Sequence, residues 1–193
     1  MKLHQLALAA LAAASITSAQ AAVFNGATVT GGTVVTDYTL GSGLAFDIDF
    51  ASLSSVTLNF TLESADFSGD PMTFNALVRD LSFKGFERVS VSLAGITFAA
   101  PGTISTDGFS AVSASGRSLT QAWATFSPAV TSEFYVGNPL GNMSDVDWTL
   151  NLDGLHAGHQ FSITVAVPEA ETYALAIAGL AVVGAVARRR KAA

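Results

Sequence analysis

The sequence predicts an all-β fold, a β-sandwich of antiparallel strands, on three observations. Apolar and polar residues alternate with a period of two in several runs, turn-forming residues divide those runs at short intervals, and helical periodicity is weak between residues 22 and 166. A period of two with β-branched and aromatic residues on one side is the pattern of a strand with one wet face. Many short strands with frequent turns indicate a sandwich or a barrel, and the size of this region favours the sandwich.

Taken in chain order, Gly31-Gly32 stands between Thr28-Val29-Thr30 and Thr33-Val34-Val35, which signals a hairpin. In the next run Phe46, Ile48 and Phe50 form the buried side and Asp47 and Asp49 the solvent side. Val56, Leu58, Phe60 and Leu62 alternate with Thr57, Asn59, Thr61 and Glu63, and Val89, Val91 and Leu93 alternate with Ser90 and Ser92. Near the end, Trp148, Leu150 and Leu152 alternate with Thr149 and Asn151, and Phe161, Ile163, Val165 and Val167 alternate with Ser162, Thr164 and Ala166. Gly41-Ser42-Gly43, Gly69-Asp70-Pro71, Pro101-Gly102 and Asn138-Pro139 supply the breaks. No repeat of fixed period and no linker long enough to split residues 22–166 is present, so these residues are expected to form one domain with one core.

Composition narrows the chemistry. All thirteen phenylalanines and both tryptophans fall within residues 22–166, enough aromatic bulk for a packed interior. The same stretch has thirteen acidic side chains against four basic ones, Arg79, Lys84, Arg88 and Arg117, a formal charge of −9 against −6 for the whole chain. Such a domain is repelled by phosphate backbones, which excludes nucleic acid as a partner. The chain contains no cysteine, which excludes a disulfide framework, a thiol nucleophile and cysteine-ligated metals.

The two ends differ from the middle. Met1-Lys2, an apolar stretch at residues 6–14 and the small residues Ala19 and Ala21 are the parts of a signal peptide over residues 1–21, cut by signal peptidase to leave Ala22 first. At the other end Val167, Pro168 and Glu169 open a short polar segment at 167–171, followed by an uncharged run to residue 187 and then Arg188, Arg189, Arg190 and Lys191. In a helix the sixteen residues 172–187 cover roughly 24 Å against a hydrocarbon core of about 30 Å, a marginal span. Tyr173 sits where an interfacial aromatic belongs, and the basic residues can snorkel to the far headgroups as a membrane stop. A single transmembrane helix at about 172–187 is therefore expected in the inner membrane, with residues 22–166 outside the cytoplasm and the basic tail 188–191 inside.

These parts carry a family resemblance. Val167, Pro168 and Glu169, then Gly179-Leu180 inside the apolar run, then the cluster from Arg188 to Lys191, resemble the PEP-CTERM sorting signal of Gram-negative bacteria, with Ala170 where that pattern has a second proline. The resemblance covers about the last seventh of the chain and implies handling by an exosortase, a membrane-embedded cysteine protease or transpeptidase that cuts near the motif. It also implies a host that makes exopolysaccharide and a destination at the cell surface or in the extracellular matrix. Residues 46–50 resemble, more faintly, a PEP-CTERM subgroup named for a Phe-x-Asp-x-Phe motif, but Ile48 holds the central position and no site residues transfer.

Three constellations bear on chemistry. Asp153, His156 and His159 offer a carboxylate and two imidazoles to a metal, or else belong to a plain inter-strand loop flanked by Gly154 and Gly158. Asp47 with Asp49, and Asp145 with Asp147, offer oxygens to Ca²⁺, or else form solvated strand faces. The serines lack a Gly-x-Ser-x-Gly elbow, and His156 and His159 are the only histidines beyond the signal peptide, so no catalytic residue, enzyme activity or cofactor is expected. The expectation is a structural or binding module, with a permanently anchored envelope protein and a glycan- or Ca²⁺-dependent binding module as alternatives.

Overall fold

The computed structural model describes residues 22–129 and 131–167. Within them the chain forms β1 (Val23–Val29), β2 (Val34–Asp37), β3 (Gly43–Phe50), β4 (Ser55–Thr61), β5 (Thr73–Asp80), β6 (Arg88–Ala94) and β7 (Thr97–Ala100). It continues with β8 (Ile104–Thr106), β9 (Ala111–Arg117), β10 (Gln121–Ser127), β11 (Glu133–Val136), β12 (Trp148–Asn151) and β13 (Gln160–Ala166). A single 3-10 turn at Ser64–Phe67 is the one helical element among the described residues. No helix there is long and apolar enough to cross a membrane, and both the expected span at 172–187 and the signal peptide at 1–21 lie outside the described residues.

The strands form two sheets. One has six strands in the order β1-β4-β13-β6-β10-β9, and the other has seven, β2-β3-β5-β11-β8 with β12 beside β5 and β7 beyond it. The alternation read from the sequence is what closes them on each other. Val56, Leu58 and Phe60 of β4 and Ile163 and Val165 of β13 are buried on one side, while Phe46, Ile48 and Phe50 of β3 are buried on the facing side. Phe46 meets Phe24 at 5.0 Å and Phe60 at 5.8 Å between ring centroids, and Phe126 meets Phe134 at 5.3 Å, so aromatic pairs join the two layers.

Two expectations are corrected. Gly31-Gly32 does not make a hairpin: both glycines have positive φ (+64° and +76°), but β1 lies in the six-stranded sheet and β2 in the seven-stranded one. The turn is an inter-sheet corner, tied by the Thr33 hydroxyl donating to the Thr30 carbonyl at 2.8 Å and the Ser52 hydroxyl to the Gly31 carbonyl at 3.1 Å. The sheets are also not wholly antiparallel, because β3 and β5 pair in parallel from Gly43↔Thr73 to Phe50↔Asp80. Parallel neighbours need a crossover, and here β4 provides it by crossing to the opposite sheet and back.

This topology sorts the loops to two ends. β13 finishes at Ala166, paired with Ser55 and Ser90, next to the starts of β4 and β6 and level with the end of β5. The loops at residues 30–33, 51–54, 81–87 and 107–110 therefore share the end at which the C-terminal tail leaves. Ala22 and the loop at 138–147 stand at the opposite end, beside Thr61 and Phe74 respectively.

Candidate functional site

The last described residue is Val167. Its backbone N–H donates to the Ser54 carbonyl at 2.8 Å and its side chain is 1% exposed, packed into the common core. Ser54 in turn donates to the Ser52 and Thr30 carbonyls, so the point of exit is anchored to the inter-sheet corner. Pro168, Glu169 and the basic residues Arg188, Arg189, Arg190 and Lys191 lie outside the described residues, as do Ala19 and Ala21.

At the same end of the domain, Asp80 closes β5 with a buried carboxylate. It accepts the Ser82 N–H at 2.7 Å, the Ser82 hydroxyl, and the Gly85 N–H at 2.7 Å, shaping residues 81–85 into a tight turn. Phe83 sits within that turn at φ +60° with its side chain 94% exposed. Sequence reading passed over this loop, although Asp80-x-Ser82 followed by Gly85 is a recognisable Asx-type turn.

On the outer face of the seven-stranded sheet the two aspartate pairs acquire separate partners. Arg79, on β5, donates from Nε to Asp49 at 2.6 Å and from Nη2 to Asp47 at 3.0 Å, so an internal cation fills the space between those carboxylates. The hydrogen bond with Asp49 is the main cause that raises the pKa of Arg79, against the opposing effect of burial. Asp147 accepts the Asn138 N–H at 2.6 Å and the Asn75 amide at 3.2 Å, and Asp145 accepts from Ser105 at 3.2 Å. On β11 the Tyr135 hydroxyl donates to Glu133, and burial, reinforced by that bond and by neighbouring carboxylates, pushes its pKa up to about 12. Among the described residues no three acidic or histidine side chains converge on a point that could hold a metal ion.

The histidines belong to the loop between β12 and β13. His159 Nε2 lies 2.6 Å from the Gly95 carbonyl and His156 Nδ1 lies 2.9 Å from the Ala157 carbonyl, with the two rings edge to face at 6.0 Å. Backbone bonds from Leu62 to His159 and from Gly158 to Leu62 pin this loop to the end of β4. On the outer face of the six-stranded sheet, Asn25, Asn59, Thr61, Gln160 and Ser162 line an open groove of about 580 Å³. On the same face Arg88 lies 5.0 Å over the ring of Trp123.

The geometry describes a folded two-sheet domain whose final strand runs directly into a polar, apolar and basic tail. That tail is a protein-sorting signal: residues 166–191 match the family model of the PEP-CTERM protein-sorting motif. The match opens on Ala166 and Val167, so its first two residues are built into the last strand and the core. Neither the curated proteins nor the solved structures give a match to this chain. The motif implies an exported, exosortase-targeted protein with a membrane-anchored or cell-surface fate.

Proposed function

We propose that this chain is delivered across the inner membrane by a cleaved signal peptide, residues 1–21, and is then processed by an exosortase. Its β-sandwich serves as a non-enzymatic structural or binding element at the cell surface or in the extracellular matrix of an exopolysaccharide-producing Gram-negative bacterium. The observation that carries the reading is the continuity of the last strand with the sorting motif. No linker separates them, so the folded domain itself is the cargo. The test is Pro168→Ala combined with Glu169→Ala, which should block processing and surface delivery without unfolding the domain. Unchanged processing in the double variant would overturn the reading. Mass spectrometry of the mature C-terminus separates a cut tail from permanent anchoring, which would retain the cluster from Arg188 to Lys191.

A second reading, glycan binding, is favoured by the groove on the six-stranded sheet. Amide and hydroxyl groups of Asn25, Asn59, Thr61 and Gln160 suit sugar hydroxyls, and exopolysaccharide is the ligand to try. Saturable binding that Asn59→Ala weakens at least tenfold supports it, and indifference to the substitution counts against it. Calcium dependence is the less favoured variant, because the Arg79 guanidinium already occupies the space between Asp47 and Asp49 and bonds to both.

A further inference from the structure

We propose that the turn at residues 81–85 contacts lipid, with Phe83 entering the boundary between headgroups and acyl chains of the membrane that holds the tail. The inference rests on the reading of residues 172–187 as an anchor. A phenylalanine in the left-handed region is strained, and such a conformation persists only where its surroundings over-determine it. Here the buried Asp80 carboxylate does so through the Ser82 and Gly85 bonds, and the outcome is a large apolar ring held 94% exposed. A second ring on the loop after β8, Phe109, is 85% exposed at the same end of the molecule.

The path of the chain identifies the occupant. β13 leaves at this end, and its Ala166 pairs with Ser90, near the start of β6, the strand that follows the turn. Only residues 168–171 separate Val167 from the apolar run, and four residues reach at most roughly 14 Å when fully extended. An anchored tail therefore holds this face of the domain against the bilayer surface, where an exposed aromatic ring gains by leaving water. The tether also supplies the high effective concentration that lets a small contact persist in a domain whose net charge of −9 opposes anionic headgroups.

The absence of cysteine makes the test direct. Full-length protein carrying Phe83→Cys, Phe109→Cys or Met143→Cys is labelled with an environment-sensitive fluorophore and reconstituted into phosphatidylcholine–phosphatidylglycerol vesicles, with and without brominated lipid. Met143 is fully exposed on the opposite end and serves as the reference. The label at position 83 should shift to the blue and lose at least half its intensity to brominated lipid, and the label at 143 should do neither. Position 109 reports the same end without disturbing the Asp80 turn, and quenching there supports the contact should the label at 83 perturb that turn. If the protein floats with the vesicles while both labels stay in water, the lipid contact is wrong and the anchor reading stands. If the protein does not float, both fail. A blue shift without lipid quenching assigns the face to a protein, such as a second copy of this chain, and also overturns the proposal.

Discussion

Phe60 shows how a single residue links the layers. It is 1% exposed, stacks on Phe161 at 4.9 Å and meets Phe46 of the other sheet. Trp148 is 4% exposed and satisfies its indole N–H on the Thr103 carbonyl at 3.0 Å. Phe60→Ala or Trp148→Ala should each cost about 3 to 5 kcal/mol in chemical denaturation, whereas Asp49→Asn, at a partly exposed ion pair, should cost about 1 kcal/mol or less. An unchanged midpoint for Phe60→Ala would mean that the inward register is wrong. Tyr135 makes a pH-dependent prediction. Its folded pKa of about 12 stands above the ordinary 10.0, so its contribution is complete below pH about 10 and is lost as pH rises towards about 12. Tyr135→Phe should flatten that alkaline fall in the denaturation midpoint, and an identical fall in both proteins would assign it to other groups. Burial at Phe60 and Trp148 was legible in the sequence because alternation reports it. The partner of Asp47 and Asp49 was not, since Arg79 arrives from a strand some thirty residues later.

Among the elements, β4 and β13 were readable because each has a clear apolar side and a side of small or polar residues, Ser, Thr and Asn in β4 and Gln, Ser, Thr and Ala in β13. β9 carries mostly Ala, Ser and Gly, whose hydropathy contrast is too low to show a period of two. The Gly31-Gly32 signal misled for a different reason: two glycines set the local backbone geometry, but packing of the later residues decides which sheet the next strand joins. The parallel pairing of β3 and β5 was hidden likewise, since no local spacing encodes a crossover through the opposite sheet. β13 carries the clearest prediction at this scale. A chain ending at Ala166 should be less stable than one ending at Val167 by about 1.5 to 3 kcal/mol, the worth of one buried valine side chain. Comparing their melting temperatures checks this, and equal values would show that Val167 contributes nothing to the core.

For the whole molecule, the sorting signal was legible from three short segments in the right order, because a targeting signal is read as a linear pattern. The outer faces that would recognise a ligand were not, because Asn25, Asn59 and Gln160 converge only through pairing of β1, β4 and β13. The positions of the two ends of the domain have a mechanical meaning. Ala22 lies at one end and Val167 at the other, on strands that run in the same direction on either side of β4. Pulling those ends apart drags β1 and β13 in opposite directions along the strand axes, while the ladders joining them to β4 run across the pull. Their hydrogen bonds must then give way together, and the rate of forced unfolding is set by that single barrier. Single-molecule stretching between these ends should show one abrupt rupture, and a gradual low-force unzipping would refute the shear geometry. A surface protein attached through β13 and gripped by a partner at the Ala22 end would thus carry the tension between the two through a strand clasped on both sides.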